Sequence, residues 1–389
     1  MDTYYIFFII ISCILFIPEL LKRFNIPGIT SVMLAGIVIG PYGLNIVQMD
    51  QSLEVFSMFG AVFLMFLAGM EIDNKTLKEQ FKNSLFISLL SIIFPFIGGY
   101  FVGQYFGLSF VGCLLYGTIF ASHSVGIIYS LMNELNLTKT KFGTTLLSAT
   151  IVVDLITLIG LSAIIKMSNN GSNSEIFLFM IMVFMYIGIL LIGIPTISKK
   201  IFKNLEKYHM TKIHYVFFII LISILVGELL GLHPVIGAFI TGIAVSESLS
   251  KEEHDKLLND NLNAIGYGFF IPIFFLTLGM TTDIGVLTNL GNIGLVVITI
   301  VVATILKICS GYISLRILKY DPLKSICGGL FTVPKISASL VAASVGLSMG
   351  IINKEFFVAI VILSIVSSMM APIFIKNMVI KHKKIFERD

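Results

Sequence analysis

Short polar breaks divide the chain into a long series of apolar runs, and the length of those runs constrains the fold more than any other feature. A helix needs roughly 20 residues to cross the hydrocarbon core of a bilayer. Reading the runs between breaks predicts about thirteen spans, near residues 3–21, 27–45, 54–71, 84–106, 110–132, 143–166, 176–198, 213–231, 233–246, 266–281, 291–315, 325–348 and 355–375. Most of the 389 residues are used in this way, which leaves little chain for a soluble catalytic or regulatory domain. Asp, Glu, Lys and Arg together make up 12% of the chain, about half the roughly 25% of soluble domains. The sequence therefore predicts an all-α polytopic membrane protein, and not an enzyme.

The 26 basic residues supply an orientation. If the loops alternate sides, only Lys166 and Lys354 share the side of the N-terminus, and 22 others, from Lys22 and Arg23 to Lys383, Lys384 and Arg388, lie opposite. Cytoplasmic loops carry the excess of Lys and Arg. The N-terminus is thus expected outside, the C-terminus in the cytoplasm, and the chain in the inner or plasma membrane as a multi-pass protein. These residues are scattered singly rather than in a stripe, so the net charge of +4 speaks for topology and not for nucleic acid. Lys22 and Arg23 follow the first apolar run instead of preceding it, which reads as a retained helix. Cys13, Cys113, Cys309 and Cys327 form no CxxC and have no His-rich partner, so neither a disulfide framework nor a zinc site is implied. No cofactor is expected.

An offset near 210 residues relates the two ends of the chain. Gly69-Met70-Glu71-Ile72-Asp73 closes the third run and Gly279-Met280-Thr281-Thr282-Asp283 closes the tenth. Pro27-Gly28-Ile29 opens the second run, and Pro234-Val235-Ile236 opens the ninth. The pattern predicts one transporter unit over 1–389, made of a first six-helix repeat (1–166), a linker helix and cytoplasmic loop (167–212), a second repeat (213–377) and a short basic tail (378–389). Six helices return the chain to its starting side and the seventh carries it across, so the repeats are inverted. That arrangement belongs to secondary transporters, whose site lies near mid-membrane.

Two interrupted runs lie at the repeat offset. Ala121-Ser122-His123-Ser124-Val125-Gly126 places a polar stretch inside the fifth span, and Thr332-Val333-Pro334-Lys335-Ile336-Ser337 places a proline inside the twelfth. Broken helices leave backbone groups free and aim half-helix dipoles at a charge, so a crossed pair of discontinuous helices is expected. Asp154 sits mid-way along the sixth span among apolar neighbours. A charge at that depth costs about 2.5–3.5 kcal/mol even on insertion scales. One carboxylate that takes either a proton or a small cation, but not both, is sufficient for exchange. Lys307 lies too far inside the eleventh span to snorkel; it is either a stabilising lysine or the partner of Asp154, in an ion pair made in one protonation state and broken when the carboxylate is protonated or binds sodium. Lys335 either offsets the carboxyl-end dipole of a half-helix or faces a cavity. His123 suits a proton relay or packs as a neutral histidine in the break. Ser122 and Thr150 complete the candidate lining, while Glu19, Glu71 and Glu228 lie near helix ends and read as interfacial.

Together these residues resemble the monovalent cation:proton antiporter-2 family, relatives of the sodium/proton antiporters, over nearly the whole chain. The resemblance rests on Ile26-Pro27 with Ala35-Gly36-Ile37-Val38-Ile39-Gly40-Pro41, on Phe66-Leu67-Ala68-Gly69-Met70-Glu71, on Ser122-His123-Ser124-Val125-Gly126-Ile127 and on Phe274-Phe275-Leu276-Thr277-Leu278-Gly279-Met280. It implies a homodimer with a dimerisation domain and a core that moves like an elevator. It further implies that Asp154 is the essential ion-binding aspartate and sodium ligand, that Lys307 is the lysine pairing with it, and that Ser124 is the serine of the broken helix beside it. His123 stands where the family usually has threonine, and Val153 where electrogenic members carry a second aspartate. Pro334-Lys335-Ile336-Ser337 departs from the Pro-Arg-Gly-Glu often seen there. The expected function is one-for-one exchange of protons for a monovalent cation, sodium first. A potassium/proton antiporter, an organic-solute symporter on the same fold, a channel and an intramembrane enzyme using His123 and Asp154 are the alternatives.

Overall fold

In the computed structural model, which describes residues 3–24, 26–71, 81–138, 140–168, 173–207, 212–249 and 253–386, the regular elements of the described residues are all helices. They are α1 (Thr3–Lys22), α2 (Gly28–Ile39), α3 (Gln51–Met70), α4 (Phe81–Tyr105), α5 (Phe110–Ala121), α6 (Val125–Glu134), α7 (Lys141–Ser168) and α8 (Asn173–Lys207). The second part of the chain gives α9 (Ile213–Leu229), α10 (Pro234–Ser246), α11 (Glu253–Ile265), α12 (Ile271–Met280), α13 (Leu290–Ile317), α14 (Pro322–Phe331), α15 (Ser337–Ser348), α16 (Lys354–Lys381) and a last turn, α17 (Lys383–Phe386). Parts of the predicted linker (169–172 and 208–211), the end of the predicted tail (387–389) and Ile72 and Asp73 of the first repeat motif lie outside the described residues.

Among the described residues eight helical stretches are long and apolar enough to cross a membrane, and five shorter apolar helices accompany them, as befits a multi-pass membrane protein. The fifth and twelfth runs are each split in two, α5/α6 and α14/α15, at the polar stretches seen in the sequence. One run is longer than its apolar stretch. The tenth begins in the polar helix α11 and passes through a wide π turn, Gly266–Phe270, into α12. A π turn inserts an extra residue and re-aims the side chains around it. Here the Phe270 ring stacks on Phe63 of α3 at 5.0 Å, and Phe269 meets Phe56 edge-on at 5.7 Å.

The chain divides into two compact units that cut across the predicted repeats: Met1–Gln48, Lys75–Ile164 and Leu278–Asp389 form the larger, and Met49–Asn74 with Ile165–Thr277 the smaller. Within the smaller unit, α3 packs on α10 so closely that a Cβ on Gly69 would stand 2.2 Å from the Phe239 carbonyl oxygen and 3.0 Å from the Ile243 nitrogen. Within the larger unit the same contact recurs at the repeat offset. A Cβ on Gly279 of α12 would stand 2.1 Å from the Met33 carbonyl oxygen and 2.9 Å from the Ile37 nitrogen of α2. The glycines named by the repeat motif are therefore required by backbone-to-backbone packing, with one helix from each half in each contact.

Two further details of the larger unit prepare the site. Gly99 of α4 meets Gly117 of α5, and Gly311 of α13 meets Gly329 of α14, with added Cβ atoms 2.9 and 2.6 Å from the facing Cα. Each broken helix thereby lies against a long one. On α4 the buried Ser84 donates to the carbonyl oxygen of Thr145 on α7 at 3.1 Å, and the single hydrogen of Ser88, one turn on, is shared between the Ser84 carbonyl oxygen at 2.6 Å and that of Ala149 on α7 at 2.9 Å. The hydroxyls lock α4 alongside the helix that carries Asp154.

Candidate functional site

Helix α5 stops at Ala121 because Ser122 turns to extended backbone (φ −61°, ψ 159°), and α6 starts only after Ser124 (φ −125°, ψ 95°). The last carbonyls of a helix have no partner within it and form the negative end of its dipole. In this break they face two lysines. Lys335, in the second break, donates from Nζ to the carbonyl oxygens of Phe120 at 2.5 Å and Ser122 at 2.8 Å, with that of Ile119 at 3.4 Å. Lys307 of α13 donates from Nζ to the carbonyl oxygens of Ala121 and, at 3.0 Å, of Ser91 on α4. Both side chains are fully enclosed, at 1% and 0% exposure. The two breaks therefore meet, and Lys335 takes the first of its two expected roles, at the carboxyl end of a half-helix.

Asp154 on α7 is 0% exposed, and neither Oδ1 nor Oδ2 has a hydrogen-bond partner. The backbone N–H of His123 and the ammonium groups of Lys307 and Lys335 act on it electrostatically. The Lys307–Asp154 ion pair, expected in one protonation state and broken in the other, is not made in this structure. Lys307 Nζ is held instead by the carbonyl oxygens of Ala121, at the end of α5, and Ser91 on α4. An unpartnered carboxylate at this burial is the opposite of what a structural role selects, because buried polar atoms are nearly always paired.

The structure thus brings together Asp154, His123, Lys307 and Lys335. His123 is also 0% exposed; its Nε2 is 2.9 Å from Ser91 Oγ, and its Nδ1 has no partner. Ser122 and Ser124 lie in the break itself, but Ser122 Oγ is engaged by the Ile119 carbonyl oxygen at 2.9 Å. Thr150, one turn before Asp154, returns its hydroxyl to the Leu146 carbonyl oxygen at 3.0 Å and offers the carboxylate no donor. Sequence reasoning missed Ser91, whose only signal is its helical spacing with Ser84 and Ser88. It also missed the backbone carbonyls of α5 as ligands for the lysines. Ser337 and Ser339 at the start of α15 add two more buried hydroxyls without a partner. Among the described residues no three His, Cys, Asp or Glu side chains converge.

Residues 8–381 match the family described as "Sodium/hydrogen exchanger, transmembrane". The chain is similar to the "Probable Na(+)/H(+) antiporter 3" of Methanocaldococcus jannaschii, at 59% identity over 374 residues and 96% of each chain. It is similar to the "Na(+)/H(+) antiporter" of Enterococcus hirae, at 30% identity over 91% of this chain and 92% of the relative. Its fold is similar to that of the solved sodium proton antiporter MjNhaP1 from Methanocaldococcus jannaschii, with a TM-score of 0.73 and 16% identity over 99% of this chain and 97% of the other. The chain belongs to the sodium/hydrogen exchanger family, a family of membrane antiporters of cations and protons and not of enzymes.

Proposed function

We propose that the protein exchanges protons for sodium ions, one for one, across the inner or plasma membrane, with Asp154 binding either a proton or sodium in competition. The observation that carries this reading is the state of Asp154: fully buried, with both oxygens unpartnered, while the two neighbouring ammonium groups are committed to backbone carbonyls. Protonated Asp154 is neutral, and so is Asp154 with sodium bound. The bare anion is the species that pays for burial without compensation, and its high cost at mid-membrane prevents it from crossing empty. Coupling follows from that exclusion. One-for-one exchange is supported by the single carboxylate at the site, with Val153 where a second would stand beside Asp154. Ser124, in the break, is the side-chain oxygen assigned to the cation beside Asp154.

On this reading the protein is a homodimer of the monovalent cation:proton antiporter-2 type, with thirteen passes of which two are broken, its N-terminus outside and its C-terminus in the cytoplasm. Movement of the core in the manner of an elevator carries the site from one face to the other. The names of the relatives favour sodium. The test uses proteoliposomes with a trapped pH dye, to which sodium, lithium or potassium is added, with Asp154→Asn in parallel. Sodium-dependent dye response in the wild type, lost in the folded variant, is the expected result. Exchange that survives in Asp154→Asn overturns the assignment, and so does a wild type that moves no protons with any of the three ions.

A further inference from the structure

Ser91 occupies an unusual position. It is fully buried on α4, its carbonyl oxygen accepts from Lys307 Nζ at 3.0 Å, and its hydroxyl oxygen lies 3.5 Å from the same Nζ and 2.9 Å from His123 Nε2. An ammonium has donors only. The Ser91 hydroxyl therefore has nothing to give to Lys307, and its single hydrogen is directed to His123 Nε2. That nitrogen becomes the acceptor, so the ring proton sits on Nδ1, the atom left without a partner. A doubly protonated ring would instead aim an N–H at an oxygen that already faces an ammonium, with a second ammonium, that of Lys335, acting on the same ring. Lys307 and Lys335 are thus the charged groups that bear on His123, and Asp154 is the carboxylate that its backbone N–H addresses.

We infer that Ser91 is a positioning residue of the exchange site: it holds His123 as the neutral Nδ1–H tautomer in a fixed ring orientation, and through the ring it fixes the backbone N–H that faces Asp154. The role rests on the Asp154 reading above and adds to it a side chain that touches neither ion. Fixing residue 123 fixes the middle of the first break, where an unanchored three-residue stretch has several backbone conformations open to it. The cost of losing the anchor falls on binding, because the backbone N–H of residue 123, which acts electrostatically on Asp154, is then in place only part of the time.

The test combines transport with spectroscopy on the full-length protein in lipid. In Ser91→Ala the KM for sodium rises about tenfold, the loss of one buried hydrogen bond, while turnover at saturating sodium stays within about twofold. With nitrogen-15 labelled histidine, the His123 signals identified by their absence in His123→Thr report Nδ1–H alone in the wild type and a mixture of tautomers in Ser91→Ala. In the His123→Thr background the Ser91→Ala change has no further effect on KM. Unchanged KM and unchanged tautomer in Ser91→Ala overturn the inference, and so does an equal effect of the change with and without His123. Failure of the wider exchange reading is distinguishable, since the tautomer is read without transport: a wild type that moves no protons while showing Nδ1–H alone leaves the positioning geometry standing and removes only its purpose.

Discussion

Replacing Lys335 by methionine keeps the length and apolar stem of the side chain and removes the ammonium that closes the end of α5. The carbonyls of Phe120 and Ser122, now bonded at 2.5 and 2.8 Å, stay buried without a partner. Hydrogen bonds to a charged group contribute about 1.5–3 kcal/mol each, and an acceptor left buried and unsatisfied costs about 1–3 kcal/mol. Against this, burying methionine avoids the desolvation of an ammonium. Because the carbonyls remain and only their partner goes, the balance is a loss of about 3 kcal/mol, roughly two decades in the folding equilibrium. Unfolding by SDS titration in mixed micelles measures it. The internal control is Lys376→Met, which breaks a pair with Glu134 at 2.6 Å whose side chains are 39% and 58% exposed; surface pairs contribute about 0–1 kcal/mol. Lys335→Arg, which keeps the charge, recovers part of the loss. If Lys335→Met unfolds at the same SDS fraction as the wild type, or if the control costs as much, the carbonyl-capping argument is wrong.

Two other outcomes follow from packing in the individual units. The buried Tyr116 hydroxyl shares a 2.7 Å hydrogen bond with Thr299, so Tyr116→Phe and Thr299→Val each cost about 1–2 kcal/mol; the double variant costs clearly less than the sum, and strict additivity in the same titration refutes the bond. Gly69→Val puts a side chain where a Cβ alone is 2.2 Å from the Phe239 carbonyl oxygen, and separating α3 from α10 costs about 3 kcal/mol. A thermal-stability scan in detergent that finds Gly69→Val indistinguishable from wild type would show that the helices can part freely.

Much of this arrangement is legible in the sequence, and the reason is that charge and proline are rare in apolar runs. Asp154, Lys307 and Lys335 stand out at once, and the two breaks announce themselves through Ser122-His123-Ser124 and Pro334. The partner of Lys307 is not legible in the same way. Side-chain logic pairs a buried lysine with a buried aspartate, but the structure pairs it with the backbone of Ser91 and Ala121, and every residue carries a carbonyl. Which carbonyls are free depends on where α5 ends, and that is settled only by the geometry of the break. Ser91 was hidden for a related reason: serine is ordinary in apolar helices, and its importance comes from what Lys307 and His123 bring to it from positions 216 and 32 residues away. The compact units were invisible as well, because each gathers helices from both repeats.

The exchange of partners between the repeats also bears on biogenesis. Helix α2 finds its backbone-tight neighbour around Gly279 of α12, and α3 finds its own around Phe239 of α10. A ribosome therefore delivers α2 into the bilayer more than two hundred residues before its mate exists, counting from Met33 to Gly279. The early helices must wait as inserted but undocked segments, with small residues facing lipid, and final assembly is a late event that the second repeat completes. A nascent chain truncated after the first repeat thus keeps the packing of α4 on α5 and α7 but leaves α2 and α3 without their tight partners.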